Sequence, residues 1–444
     1  MRAWALVLAL GGCFYDEASP LPDDFATCAA ADPAAGVADP TWYRDVEPIV
    51  IAKCQGCHVE GGLGPFALAG YSQVVTLHGL VRAAIDARTM PPWQPDACCN
   101  HYAWDRSLSE AERATMLRWF DTGMPAGDPA DAPPAMPPPA SLPHVDLRAE
   151  MPAAFTPIAK VGADELRCFL LDHEPIERTR YITGFDFQPG ARPEVHHVIV
   201  FAVPEGEVGA LMAQDGRDGR PGWDCYGQGG ELQPGTAYIG GWQPGVLARV
   251  LPAGIGRELP AHTRIMVQIH YDTGHGTAPD RSAIDIMLED HVPRVERAIP
   301  VGNPLWFAGD GMQIDAGDPD AQVWFAYDPS DLVTKGQAVE IHNVMLHMHE
   351  LGSIGRVAVL RKNGTTECLL NITKWDFHWL GDYYFEQPVR LEPGDKLYVE
   401  CHWDNTAAHQ KIVNGEQQPP RTLHWGTDEE MCGAVLTYSM AVQP

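Results

Sequence analysis

Five histidines and one methionine fall in four short motifs along the chain: His196-His197, Gln268-Ile269-His270, His347-Met348-His349 and Glu430-Met431-Cys432. Imidazole nitrogen suits copper in either redox state, and a thioether selects the soft Cu(I) form. One all-nitrogen set and one nitrogen-plus-sulfur set are enough for two copper sites, and a chain that keeps both kinds points to redox chemistry. A fifth motif, Cys54-Gln55-Gly56-Cys57-His58, has the spacing that attaches a c-type haem, with two thiols for the covalent links and His58 as an axial nitrogen.

The elements that must carry these groups follow from periodicity. His347 and His349 are two apart in a strand-like run, and a period of two puts both imidazoles on one face. His196 and His197 are adjacent, so a regular strand would send them to opposite faces; they converge only at a bulge or a strand end. Taken singly, the HxH pair is compatible with a solvent face and His270 with a satisfied core histidine. Segments 194–202, 264–271, 321–327, 356–361 and 397–401 are short, rich in Val, Ile and aromatics, and punctuated by Gly, Pro and Asp. They predict antiparallel β-sandwiches of jelly-roll type. Roughly 300 residues of such sequence exceed one sandwich, so the region divides near Pro300 into 144–299 and 300–444.

Ahead of it, helical spacing over 46–52 leads into the haem motif, 77–88 is a second helix, and Ser109 with Glu112 forms a capping box opening a third that runs to Phe120. This layout predicts a small all-α unit over 42–128. A zinc knuckle built with Cys98, Cys99 and His101 is the competing use of the thiols, but adjacent cysteines chelate poorly. Met90, on the Pro-stiffened Thr89–Trp93 loop, is the preferred sixth ligand; Met116, Met124, His78 and His101 are the alternatives. Residues 129–143 form a Pro-rich linker.

With 444 residues and a 45% hydrophobic fraction the chain can fold about two to four domains. The formal net charge of −28 excludes a nucleic-acid partner, because phosphates would be repelled. Residues 1–12 read as an export signal, and Leu10-Gly11-Gly12-Cys13 as a lipoprotein processing box with Cys13 lipidated; an ordinary signal peptide is the alternative. The expected product is a body carried on a 13–41 tether, lipid-anchored to a bacterial membrane in the periplasm or at the cell surface. Of eleven cysteines, those outside the haem and lipid motifs are Cys28, Cys98, Cys99, Cys168, Cys225, Cys368, Cys401 and Cys432; their even number permits four disulfides in an oxidising compartment.

The ordered set Glu194–Val198, Val267–Asp272, Leu346–Gly352 and Gly426–Cys432 resembles the type II copper, ascorbate-dependent monooxygenases, which include the peptidylglycine α-hydroxylating and dopamine β-monooxygenases. The resemblance covers about residues 144 to 444 and meets all six ligand positions. It implies two antiparallel β-sandwiches, each holding one copper. His196, His197 and His270 would hold the copper that accepts and stores an electron. His347, His349 and Met431 would hold the copper at which dioxygen is used and a C–H bond hydroxylated. It also implies Cys168–Cys225 and Cys401–Cys432 disulfides and places Gln268 near the first copper. The chain departs from the peptide-processing members. Met345 stands two residues before the HxH pair, where they carry arginine, and Gly433 and Val435 stand where they carry polar groups. A peptide carboxylate therefore lacks its clamp, and the expected substrate is a neutral or weakly cationic small molecule. Asp428, Glu429 and Glu430 read as a solvated acidic face.

The leading expectation is thus a copper monooxygenase acting on a small organic substrate with O2, holding two copper ions and one covalent haem c. Electrons come from the fused haem, from an external donor such as ascorbate, or from both. The alternatives are a non-catalytic copper and haem electron-transfer lipoprotein, and a structural sandwich with vestigial sites.

Overall fold

The computed structural model describes residues 19–27, 36–62, 64–134, 141–158, 164–225, 235–244, 246, 248–307, 309–413, 416–426 and 429–441. The export signal, Cys13 and Cys28 lie outside them, as does the middle of the Pro-rich linker. The chain divides into two compact units, Cys28–Trp93 with Trp104–Val292, and Met1–Thr27 with Gln94–Ala103 and Pro293–Pro444.

The first unit opens with helices α1 (Glu47–Lys53), α2 (Tyr71–Thr76), α3 (His78–Asp86) and α4 (Glu110–Asp121). Ser109 caps α4 in the expected box: its hydroxyl accepts the Glu112 N–H while the Glu112 carboxylate accepts the Ser109 N–H. Trp42, Val46, Val50, Val74, Met116 and Trp119 bury a small aromatic core among these helices. The all-α segment expected to stand alone does not. It belongs to the same compact unit as the strands that follow, and Arg106 donates to the Pro244 carbonyl while the Arg249 guanidinium lies over the Trp104 ring.

Those strands are β1 (Leu147–Glu150), β2 (Asp164–Leu170), β3 (Arg180–Gln188) and β4 (Val195–Pro204), then after α5 (Glu205–Met212) β5 (Trp223–Asp224), β6 (Ala237–Trp242), β7 (Arg249–Val250), β8 (Ile255–Leu259), β9 (Thr263–Asp272) and β10 (Ala283–Glu289). They form two antiparallel sheets, ordered β1-β10-β3-β8 with β7 on β3, and β5-β2-β9-β4-β6. Phe155, Phe185, Phe187, Val198, Val200, Ile265, Val267, Ile269, Ile284 and Ile286 fill the layer they share. A second apolar cluster, with Leu211 of α5, Trp223, Met266 and the Cys168–Cys225 disulfide, covers the other face of the five-stranded sheet.

The second unit holds β11 (Arg294–Val301), α6 (Pro304–Phe307), β12 (Gln313–Ile314), β13 (Ala321–Tyr327), β14 (Val339–His347), β15 (Gly352–Leu360), β16 (Thr366–Ile372), β17 (Asp382–Leu391), β18 (Lys396–Trp403), β19 (Ile412–Val413), β20 (Glu416–Gln417), β21 (Leu423–His424) and β22 (Gly433–Met440). One antiparallel sheet runs β11-β22-β14-β17 and the other β13-β18-β15-β16, with β12–β21 and β19–β20 as short ribbons. The division expected near Pro300 falls at Pro293 instead, because Pro300 lies inside β11, opposite Val435. Proline is tolerated in a strand where its nitrogen is not needed by the ladder.

Residues 19–27 of the expected tether pack on the outer face of β13-β18-β15-β16, where Leu21 and Phe25 contact Ala326, Ala358 and Tyr398. The backbone of this strap is pinned by buried polar groups. Leu21 N–H donates to Glu400 Oε2, Arg356 Nη1 donates to the Leu21 carbonyl, and Asn371 Nδ2 donates to the Phe25 carbonyl. Residues Gln94–Ala103, expected inside the 42–128 haem unit, belong to the second unit. The Cys99–Cys368 disulfide, the Asp96 N–H to Asn371 carbonyl bond and the Tyr102–Phe385 bridge hold them there. Among the described residues no helix is long and apolar enough to cross a membrane.

Candidate metal centres

In the five-stranded sheet the inward residues of β4 are Val195, Val198, Val200 and Ala202. The spacing is three, then two, then two. One extra residue has therefore been inserted at the start of the strand, and the β4–β9 register shifts between Val195 and His197. This is the bulge that two adjacent ligands require. It turns His196 and His197 toward His270, which faces His197 across the ladder. The three rings are 4%, 8% and 1% exposed, and their ligand nitrogens lie within 4.8 Å of one another. His197 Nδ1 is 3.4 Å from His196 Nδ1 and 3.2 Å from His270 Nδ1. Nitrogens about 3.3 Å apart are what tetrahedral ligation at about 2.0 Å requires. The donor set therefore fits a metal ion, and imidazole alone admits copper or zinc. Gln268, two residues before His270 on β9, reaches the Cys225 sulfur at 3.7 Å, so it stands beside the Cys168–Cys225 disulfide.

The second cluster forms where β14 ends. His347 is its last residue and pairs with Gly433, the first of β22. His349 lies just beyond the strand rather than inside it, while Met348 between them is fully buried. The expected same-face geometry survives: the two Nε2 atoms are 3.1 Å apart. His349 Nδ1 is 3.1 Å from the Glu429 carbonyl, which assigns that nitrogen its proton and leaves Nε2 as the lone-pair donor. Burial, and after it the charge of His349, pushes His347 down to about 3, so its imidazole is neutral, as a ligand must be. Met431 is half-buried and sits between Glu430, whose carboxylate takes the His349 N–H, and Cys432, which is disulfide-bonded to Cys401 of β18. Two imidazoles joined by the thioether of Met431 would fit Cu(I) better than zinc.

Sequence reasoning missed Glu430. It was grouped with Asp428 and Glu429 as a solvated face; Asp428 lies outside the described residues, and Glu430 is 1% exposed. Its Oε2 accepts the His349 N–H at 2.9 Å and the Trp403 indole N–H at 2.8 Å, and its Oε1 accepts the Leu351 N–H at 2.8 Å. Burial raises Glu430 to about 7 against the pull of these donors. Glu429, by contrast, is held below the usual carboxylate range by the His424 N–H and Arg421, which together outweigh partial burial. No local signal separates the two acids, since every donor to Glu430 is remote in sequence.

The haem-motif residues lie at the end of α1 and the turn after it. Cys54 and Cys57 are free thiols, both half-buried; burial, then the neighbouring Cys57, pushes Cys54 up to about 12, and burial raises Cys57. His58 Nδ1 lies 3.0 Å from the Phe66 carbonyl, so its Nε2 is the free lone pair. A Cβ on Gly64 would stand 2.5 Å from His58 Nδ1, which explains glycine at that close approach. Free paired thiols beside an oriented imidazole fit a covalent haem. Met90, after α3, is 36% exposed. Of its rivals, Met116 is core, Met124 packs on that core, His78 Nδ1 is bonded to the Val75 carbonyl, and His101 is exposed in the segment belonging to the second unit.

Residues 325–443 match the family model described as the C-terminal domain of copper type II ascorbate-dependent monooxygenases. Over 221 residues the chain is 22% identical to DBH-like monooxygenase protein 2 of Mus musculus, covering 47% of this chain and 33% of that protein. The chain thus spans about a third of the length of the curated relative it matches. Among solved structures, the major capsid protein P2 from Bacteriophage PM2 is 12% identical with a TM-score of 0.24, over 67% of this chain and 98% of that one. A peptide-N(4)-(N-acetyl-β-D-glucosaminyl) asparagine amidase is 8% identical with a TM-score of 0.23, over 66% and 97%. Scores this low carry no argument. Residues 325–443, the span that holds His347, His349 and Met431, are therefore similar to the C-terminal domain of the copper type II ascorbate-dependent monooxygenases.

Proposed function

We propose that the chain hydroxylates a C–H bond of a small organic substrate with dioxygen: RH + O2 + 2 e− + 2 H+ → ROH + H2O. His196, His197 and His270 would hold an electron-storing copper, and His347, His349 and Met431 the copper that meets dioxygen. When bound, the coppers supply one-electron redox chemistry and dioxygen activation. The protein's part would be to keep His347 neutral by burial, to aim His349 through the Glu429 carbonyl, and to brace the Met431 backbone through the Cys401–Cys432 bond. The observation that carries this reading is the 3.1 Å approach of the two Nε2 atoms inside the segment that matches the family model.

Cys54, Cys57 and His58 would hold a covalent haem c with Met90 as sixth ligand, supplying electrons alongside an ascorbate-like donor. The free thiols and the oriented His58 support this. Substrate class follows from the row next to His347. Met345 pairs with Val435 on one side and with Asp382 on the other. A substrate carboxylate would meet two apolar side chains and an acid there, and an unpartnered buried anion costs several kcal/mol, on the order of 3–5. A neutral or weakly cationic small molecule is therefore preferred. We further propose export and lipid attachment at Cys13, which mass spectrometry of the N-terminal peptide of membrane-extracted protein tests directly.

The function is tested by metal and haem analysis of the purified protein together with oxygen uptake. Two coppers and one haem per chain, with uptake that depends on an added aryl or alkyl compound, is the expected result. Copper without substrate-dependent uptake would leave only electron storage, and zinc or efficient hydroxylation of a glycine-extended peptide would overturn the reading.

A further inference from the structure

We infer that Glu430 is a positioning residue that sets the separation between Met431 and the His347–His349 pair. The inference rests on the copper reading of that site. Three pieces of chain must come together there: the turn after β14, the segment leading into β22, and β18. A single buried carboxylate binds all three. Oε2 takes the backbone N–H of His349 and the indole N–H of Trp403, and Oε1 takes the backbone N–H of Leu351. Its own backbone is tied to the preceding loop, since the Gly426 N–H donates to the Glu430 carbonyl and Trp425 bridges to Glu430.

The next residue toward the C-terminus is Met431, and the previous one supplies the carbonyl that orients His349. Residues 429–431 therefore touch His349 in two ways, a carbonyl on the ring and a carboxylate on the backbone N–H, and carry the thioether as well. The Cys401–Cys432 bond fixes the far side of the methionine to β18 but makes no link to the His349 turn. Glu430 makes that link. A buried acid whose oxygens each have backbone or indole donors within 3 Å is costly to move. Met431 and His349 are thereby held as one rigid unit, as ligands of a site that must keep the same donors through a redox cycle.

The test replaces the carboxylate without changing its shape. In Glu430→Gln the amide can accept from one donor pair, but its NH2 must face another N–H. Wild-type and variant protein are loaded with Cu(I), and the sulfur contribution to copper X-ray absorption is read, together with the stretching frequency of bound carbon monoxide. The wild type should show thioether ligation at one of two coppers. The variant should lose or lengthen it, and copper affinity at that site should fall about 10- to 100-fold, as loss of an orienting partner does elsewhere. After the same samples are oxidised to Cu(II), the three-histidine copper should keep its paramagnetic signal, which reports an intact fold. If Glu430→Gln does not fold, Trp403→Phe removes one donor while keeping an aromatic ring, and the same shift should appear in weaker form. Undiminished sulfur ligation in a folded variant overturns the inference. No sulfur ligation in the wild type overturns the copper reading beneath it, so the two failures are distinct.

Discussion

On the proposed reading Met431 would supply the soft donor, so Met431→Ala is expected to abolish substrate-coupled oxygen uptake while the three-histidine centre keeps its copper, as read by metal analysis and paramagnetic resonance. His270→Ala should do the reverse, emptying the first centre and leaving a Cu(I)–thioether signature at the second. The thiols of the haem motif make a different prediction. With Cys54 pushed up to about 12 and Cys57 also raised, both are protonated at neutral pH in protein lacking haem. Their alkylation by iodoacetamide at pH 8 should be far slower than that of free cysteine, which titrates near 8.5, and should speed up steadily with rising pH. In protein carrying covalent haem, neither thiol should label at all.

At the scale of elements, the strap over β13-β18-β15-β16 and the charges beneath it form one stability device. Arg356 and Glu400 are an almost fully buried pair at 2.7 Å, and His402 places one ring nitrogen 2.8 Å from Glu400 and the other 2.8 Å from Asp320. Arg356→Met would leave Glu400 without its guanidinium partner and should destabilise the second unit by about 3–5 kcal/mol in denaturant melts. Burial alone would lower His402, but its bonds to Glu400 and Asp320 raise it overall. Its contribution is therefore complete below the ordinary histidine range, about 6.5, and is lost as pH climbs through the raised value. Glu400 shifts the other way: burial opposes ionisation, yet His402, Tyr398, the Leu21 N–H and Arg356 hold it low. Its contribution is present above about 4.3 and disappears as pH falls through the lowered value. Thermal melts against pH should show both limbs, and His402→Gln should flatten the alkaline one and shrink the acid one, because Glu400 loses one of the partners that hold it low.

The whole molecule adds a covalent staple and a field. Cys99 and Cys368 are 269 residues apart, and replacing both by serine should cost about 2–5 kcal/mol and open the Gln94–Ala103 segment to limited proteolysis. A net charge of −28 should also govern which reductants arrive quickly. Stopped-flow reduction by anionic ascorbate is expected to accelerate with added salt, because screening relieves repulsion, whereas reduction by a cationic cobalt or ruthenium complex should slow. Equal salt dependence for the two would show that electrons enter through a patch shielded from the overall charge.

Short-range periodicity by itself determines much of this chain. The period of two put His347 and His349 on one side, adjacent histidines demanded a bulge, and the Ser109–Glu112 spacing announced a capped helix. All three are consequences of backbone geometry acting over a few residues. Strands such as Ala321–Tyr327 were legible for the same reason. What the sequence could not decide depends on partners far along the chain. Glu430 reads like its acidic neighbours until His349, 81 residues earlier, donates to it. The tether reads as unstructured until Glu400, 379 residues later, accepts from Leu21. Gln94–Ala103 reads as part of the helical segment until it meets β16 and β17. Burial of a charge is favourable only where donors converge from separate strands, and that convergence exists only in the folded chain.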